Sequence, residues 1–160
     1  MPALTRTPTG TQVRYHLLRV CDELYAVSVL KVRGLLTLPV HMLAEVSRDQ
    51  GCGLVLHEGR VLPAVDARVH FFGVTPPPAR GDVVVIWLGL DHWWNALATV
   101  FVDEVCECVT IRPEEVSIQP LPSRSHPWLM GHVDVDGQRV GILDVDVLFE
   151  HWERLTGTLA

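Results

Sequence analysis

Apolar residues in this chain alternate with polar ones in short runs, which is the period of a β-strand with one buried face. Tight-turn residues separate several of these runs, and this pattern predicts β-hairpins. The predicted hairpins pair 13–20 with 24–27, 54–57 with 60–65, and 131–135 with 138–143. A continuously apolar run at 82–88 predicts a strand buried on both faces, and 94–102 and 106–111 supply two more strands. The chain is therefore predicted to be mainly β.

The helices are predicted to be few and short, each beginning after a residue that can cap it. Asp66 precedes the sequence ARVHFF and Gly73 follows it, a typical helix start and stop. Asp144 precedes a longer C-terminal helix at about 145–155, whose apolar residues fall on one face. Single helical turns are predicted after Ser28, after Asp103 and at Pro113-Glu114-Glu115.

Two of the hairpins resemble each other closely enough to indicate an internal duplication. Their glycines and aspartates have the same spacing: Gly53, Gly59 and Asp66 against Gly131, Gly137 and Asp144. The first comparison has an offset of 78 residues, and an earlier segment, 26–32, matches 99–105 at an offset of 73. These matches indicate that a unit of about 60 residues occurs twice, and the boundary between the two copies lies near Pro76 to Pro78. Closing each half into a small barrel would remove exposed strand edges.

Composition and charge narrow the class of protein. A chain of 160 residues with 48% apolar and 20% charged residues can bury a sizeable core as one domain. The predicted domain is 13–155, with subdomains at about 13–75 and 82–145 and the C-terminal helix after them. The formal charge of −6 argues against nucleic-acid binding, which requires clustered Lys and Arg.

The polar segment 1–12 is predicted to be a flexible N-terminal arm, since it lacks the apolar core of a signal peptide. No apolar run approaches the ~20 residues needed to cross a bilayer. A cytoplasmic protein without direct membrane insertion is therefore expected.

The residues capable of chemistry are scattered along the chain. Four cysteines lack paired zinc-ligand spacing, and eight histidines show no metalloprotease or nucleophile-elbow pattern. The segment 133–146 resembles a calcium loop around Gly137, but Leu143 stands where a bidentate glutamate is required. A hairpin explains the same residues. No catalytic residue, metal site or cofactor is predicted.

Several short motifs follow one another along the chain: YAVSVLKV, G-x₅-GRVLPAVDAR, VDEV, PEEV and ILDVDVL. Their order and spacing resemble the chemotaxis coupling family, the CheW-like domains. The resemblance covers about 13–152. It implies two intertwined five-stranded SH3-like β-barrels with short helices and a C-terminal helix.

The same resemblance implies a non-enzymatic adaptor that couples chemoreceptors to a histidine kinase in a two-component signalling array. The implied partners are the kinase's regulatory domain, which has the same fold, and the cytoplasmic tip of the chemoreceptors. The adaptor would be recruited to receptor arrays at the inner membrane. Several alternatives stay open: a specialised pilus or second-messenger pathway, an accessory protein that binds only kinase or only receptor, and a small-molecule-binding or hydrolytic barrel.

The partner-binding residues implied by the resemblance fall in two places. They are Val32, Gly34 and Leu35 after the first short helix, and Gly53, Glu58 and Gly59 in the middle hairpin. The family's hairpin typically reads G-x-x-N-L-R-G, so Glu58 reverses the expected contact charge. Turn geometry is the alternative role for the two hairpin glycines. Core burial is the alternative for Val32 and Leu35.

Overall fold

Strands dominate the chain, and only two α-helices lie among the residues that the computed structural model describes: 12–39, 44–47, 51–73, 80–88, 97–118 and 127–156. The strands are β1 (Val13–Val20), β2 (Glu23–Ser28), β3 (Val32–Pro39), β4 (Ala44–Ser47), β5 (Cys52–His57), β6 (Arg60–Asp66), β7 (Arg80–Trp87), β8 (Leu97–Val102), β9 (Glu104–Ile111), β10 (Ser117–Ile118), β11 (Leu129–Val135) and β12 (Gln138–Leu143). The helices are α1 (Ala67–Phe72) and α2 (Val145–Thr156), and 3-10 turns occupy Val29–Lys31 and Pro113–Glu115.

The strands form two sheets with the same internal order. The first sheet runs β10-β11-β12-β2-β1-β9, and the second runs β4-β5-β6-β8-β7-β3. Each sheet consists of five longer strands and one short edge strand, β10 or β4. One neighbouring pair in each sheet is parallel, β12 with β2 and β6 with β8. The predicted mainly β fold with two five-stranded units is confirmed.

The sheet order shows that the two halves of the chain exchange strands. Every position in one sheet is filled in the other by the strand six places away along the chain. The registers agree with the predicted offsets, because Ala64 pairs with Thr99 and its counterpart Ile142 pairs with Ala26. Each sheet combines the first two strands of one half with the last four of the other. Neither sheet can therefore form from one half alone.

The predicted domain limits stay a prediction. Residues 1–11, within the predicted arm, lie outside the described residues, and so does the proline-rich boundary at 76–78. The first residues of the predicted strand 94–102, at 94–96, also lie outside them.

The hairpin turns and helix caps follow the local sequence signals. In the part of the chain that the structure describes, three two-residue turns have positive φ at both central positions, as type I′ turns require: Cys21-Asp22, Glu58-Gly59 and Asp136-Gly137. The predicted caps are present, because the side chains of Ser28, Asp66 and Asp144 accept hydrogen bonds from Leu30, Arg68 and Val147 backbone N–H groups. Gly73 ends α1 with a φ of 67°.

The helical turn predicted after Asp103 is wrong. Asp103 forms a single-residue bend, and β9 begins immediately after it at Glu104. Its carboxylate instead accepts a hydrogen bond from the Cys21 backbone N–H at 2.7 Å, in a different part of the chain. Asp103, which the local sequence marked as a helix cap, thus accepts a long-range hydrogen bond instead.

The described residues form three apolar clusters. Two smaller clusters each collect side chains from all five long strands of one sheet: Leu17, Ala26, Ile111, Val133, Val140 and Ile142 in the first, and Val55, Ala64, Val83 and Phe101 with Leu36 in the second. In a flat sheet the outer two of five strands would lie about 19 Å apart. Each sheet therefore curls around its own cluster, as the predicted barrels require.

The largest cluster joins the two sheets and both helices. It contains Leu18 and Val27 from the first sheet, Val84 and Val100 from the second, and Phe149 from α2. Full burial of each such side chain contributes about 1.5–3 kcal/mol. The α2 helix is twelve residues long, and no helix among the described residues is long and apolar enough to cross a bilayer.

Candidate partner-binding surface

The start of β3 is an irregular, exposed strand entry. The 3-10 turn Val29–Lys31 leads into β3, and the register with β7 shifts between Val32 and Gly34. This bulge leaves Arg33 without an opposite residue on β7. Val32 packs against the main core, whereas Leu30 and Leu35 are exposed, with 74% of Leu30 accessible. Core burial therefore applies to Val32, whereas Leu35 lies at the surface and its contact with a partner stays a prediction.

Two cations flank an indole ring at this strand entry. The Lys31 ammonium lies 5.4 Å and the Arg33 guanidinium 5.2 Å from the centroid of a Trp87 ring. Arg33 Nη1 also donates to the Leu30 carbonyl oxygen at 3.1 Å, which fixes the guanidinium beside the turn. Cation–aromatic contacts of this kind hold charge at the surface without burying it. The strand entry consequently places the Arg33 guanidinium next to exposed apolar area, while Lys31 is ion-paired with Asp146.

The β5–β6 hairpin carries the second group of predicted residues. Glu58 lies at the tip with a φ of 50° and an exposed side chain, and its carboxylate is 3.9 Å from His57 Nε2. Behind the tip, Leu56 and Val61 are a cross-strand pair that is 62% and 64% exposed. The tip thus combines a negative charge with an exposed apolar pair.

The glycines in these two segments have different structural roles. Gly59 has a φ of 77° and free space where a Cβ would be, so turn geometry explains it. Turn geometry does not explain Gly53, because this residue is buried inside β5 between β4 and β6. Gly34 has room for a methyl group, since a Cβ there would lie 3.8 Å from Val85.

One glycine with a tight steric requirement was not singled out from the sequence. Gly51 has a φ of 68°, and a Cβ there would lie 2.8 Å from both the Asp66 carbonyl oxygen and the Val69 side chain. Its own carbonyl oxygen accepts the Asp66 N–H at 2.7 Å. Gly51 therefore sets the approach of β5 to α1. The only signal in the sequence was a glycine two positions before Gly53.

The two predicted groups lie toward the same end of the second sheet. β6 is parallel to β8, β7 is antiparallel to β8, and β3 is antiparallel to β7. The tip of the β5–β6 hairpin, the end of β7 and the start of β3 consequently share one end of the sheet. We call this the open end of the second sheet: Leu30, Lys31, Arg33 and Leu35, with Trp87, Leu56, Glu58 and Val61. Of these residues, the sequence had indicated Leu35 and Glu58.

A small cavity adjoins the open end. Its volume is about 210 Å³, and its lining includes Tyr15, Lys31, Met130 and Asp146. Lys31 Nζ and Asp146 Oδ2 form an ion pair 2.8 Å long at this place.

The thiols in the described part of the chain are spread over several environments. Burial raises the pKa of the Cys52 thiol to about 12, and burial followed by the Glu104 carboxylate raises the pKa of Cys106. Cys108 is exposed and lies 3.2 Å from His16 Nδ1, and burial followed by Arg14 lowers the pKa of that imidazole. Within the described residues, no group of three or more His, Cys, Asp or Glu side chains could hold a metal ion.

Comparison with known proteins gives a family and a fold. The protein-family model of the CheW-like domain matches residues 14–153. Among solved structures, the scaffolding protein TtCheW from Thermoanaerobacter tengcongensis is similar with a TM-score of 0.71 and 17% sequence identity. The similarity covers 88% of this chain and 94% of that one. No curated protein matches the chain.

Proposed function

The chain belongs to the CheW-like domain family, and we propose on this basis that it is a non-enzymatic adaptor that couples chemoreceptors to a histidine kinase. The proposed partners are the kinase's regulatory domain, which has the same fold, and the cytoplasmic tip of the receptors. The adaptor would act in the cytoplasm and be recruited to receptor arrays at the inner membrane. Its output would be motility control or a specialised pilus or second-messenger pathway.

The observation that supports this proposal most is the open end of the second sheet. Leu30, Leu56 and Val61 each expose more than 60% of their surface, and the Lys31–Arg33–Trp87 arrangement lies toward the same end of the sheet. Clusters of exposed apolar and aromatic side chains with a charged rim are typical of protein–protein contacts. A protein that joins partners needs such a surface.

Co-sedimentation with receptor-containing membranes and with the kinase tests the adaptor function. The wild-type chain should be enriched with both partners, and absence of enrichment with either would contradict the proposal. Gly34→Ala is the most conservative probe of the strand entry, because the added methyl group meets only Val85 at van der Waals distance. It should weaken binding with little change in stability.

A second candidate function, an accessory protein that binds only kinase or only receptor, is favoured by Glu58. The exposed carboxylate stands at the hairpin position where the family typically has an arginine, so a partner's acidic contact residue would be repelled. Separate co-sedimentation with each partner distinguishes this function from the full adaptor, because only one partner should then be enriched.

Glu58→Arg tests the contact itself. The substitution should shift the preference between partners while leaving the fold intact, since the side chain is exposed. Glu107→Arg, at an exposed position on β9 of the first sheet, makes the same change in net charge and serves as the matched control. Equal effects of the two variants would show that net charge, rather than a hairpin contact, governs binding.

A further inference from the structure

The chain passes between the two sheets twice, and each passage is tied to a helix by an ion pair. The first crossover is the turn Val29–Lys31 between β2 and β3, and the second is Asp103 between β8 and β9. Lys31 pairs with Asp146 at 2.8 Å, and Asp103 pairs with Arg68 at 3.4 Å. In both cases the crossover residue directly precedes the strand that enters the other sheet.

The internal duplication relates the two ion pairs: their helix residues match at the offset of 78, and their crossover residues lie one position apart at the offset of 73. Arg68 and Asp146 are the second residues of α1 and α2, and both follow a capping aspartate by two positions. Each helix comes after a strand that is parallel to the strand leading into a crossover, β6 beside β8 and β12 beside β2. Because parallel strands end on the same side, the start of each helix meets a crossover. The polarity is opposite, since the helix supplies the cation in one pair and the anion in the other.

The ion pair at the second crossover is largely shielded from water. The Arg68 and Asp103 side chains are 1% and 16% exposed, and Arg68 Nε donates to Asp66 Oδ1 at 3.0 Å. Asp103 also accepts the Cys21 N–H, so the same carboxylate reaches the β1–β2 turn. A buried charge that loses its partner here would have no solvent to replace it.

The ion pair at the first crossover is partly exposed to water. The Lys31 and Asp146 side chains are 28% and 36% exposed, so water and ions reach the pair. Exposed ion pairs are weakened by salt and hold little free energy. Lys31 also faces the Trp87 ring, which offers the ammonium a second favourable contact on β7.

We propose that the Lys31–Asp146 pair is a releasable latch on the first crossover, whereas the Arg68–Asp103 pair is permanent. When the latch opens, the turn Val29–Lys31 and the entry of β3 become mobile while both sheets stay folded. The latch is a property of the fold. Its regulatory role rests on the proposed function, because β3 carries the predicted partner-binding residues Val32, Gly34 and Leu35. A partner carboxylate that reaches Lys31 would displace Asp146, and the freed start of β3 could then change its conformation to fit the partner.

Hydrogen exchange of the full chain without partners tests the latch. Lys31→Met and Asp146→Asn should each raise the exchange rates of the Val32–Leu35 amides by about two- to five-fold, the range set by exposed ion pairs. The double variant should exchange no faster than the quicker single variant, because both singles break the same contact. The amides of Val83–Ile86, in the middle of β7, should keep their wild-type rates.

Salt provides the second measurement. At about 1 M salt the Debye length falls to about 3 Å, so the wild-type β3 entry should exchange as fast as in the variants, and the double variant should not respond. Additive effects of the two substitutions, equal acceleration in β7, or a wild-type entry insensitive to salt would each overturn the latch. Failure to bind receptor and kinase would instead contradict the proposed function, since the exchange measurements involve no partner.

Discussion

Replacing Arg68 by Met removes the charge from the buried ion pair and keeps much of the side-chain volume. Arg68 is fully buried, and its guanidinium contacts Asp66 at 3.0 Å and Asp103 at 3.4 Å. Removing one partner of a buried pair typically costs about 3–5 kcal/mol, because the remaining charge is left uncompensated. Domains are commonly stable by about 5–15 kcal/mol. Arg68→Met should therefore remove a large part of the free energy of unfolding.

Lys31→Met is the matched control, because it makes the same chemical change at the corresponding ion pair. The Lys31–Asp146 pair is partly exposed, and such pairs contribute about 0–1 kcal/mol. Urea unfolding followed by the fluorescence of the five tryptophans measures both variants in one assay. Equal losses in the two variants would refute the reasoning, since burial would then not determine the strength of the pair.

A second substitution separates charge from packing. Asp66→Asn keeps a side-chain oxygen that can cap α1 at the Arg68 N–H. Added to Arg68→Met, it removes one of the two uncompensated carboxylates and should recover about 1 kcal/mol or more. If the double variant is instead less stable than Arg68→Met alone, lost packing accounts for the effect.

Three further predictions concern single side chains. Glu58→Asn should raise the free energy of unfolding by about 0.5–1 kcal/mol in urea titrations, because Glu58 has a φ of 50° and asparagine tolerates that conformation better; no gain would show that the turn is unstrained. Burial, followed by Glu23, raises the pKa of Tyr25 to about 12 from 10.0, so its stability contribution is present below pH 10.0 and is lost as the pH rises toward 12. Tyr25→Phe should flatten this alkaline loss of stability in unfolding titrations, and phenolate absorbance near pH 10.0 from all tyrosines would contradict it. Iodoacetamide should alkylate the exposed Cys108 well before Cys52, which is buried and has a pKa raised to about 12, as peptide mass spectrometry would show; equal rates would mean that β5 opens readily.

The hairpin turns and helix caps were predictable from the sequence because each depends on only a few neighbouring residues. Asp136-Gly137 determines a type I′ turn by its backbone preferences, and Asp66 and Asp144 cap helices through hydrogen bonds within three residues. The repeat was visible for the same reason, since equal spacing of glycines and aspartates needs no knowledge of the fold. The registers then reproduced both offsets.

The candidate surface was predicted only in part. Leu35 and Glu58 are exposed as a contact requires, whereas Gly53 is buried in a strand. Lys31 and Arg33 could not be recognised as a pair of cations on Trp87, because the indole belongs to a continuously apolar run more than fifty residues later. Which exposed side chains gather at one end of a sheet depends on strand pairing, and the alternation of residues does not contain that information.

The sequence by itself determined the β-strands, their turns, the helix caps and the presence of two related halves. Only the tertiary structure decided that each half gives its first hairpin to the sheet of the other half. The alternation of apolar and polar residues determines which face of a strand is buried. It does not determine which strands pair, because any strand with a matching apolar face can lie beside it. The exchange also decided the roles of Arg68 and Asp146. Their charges are equally plain in the sequence, but one became buried against Asp103 and the other stayed near water beside Lys31.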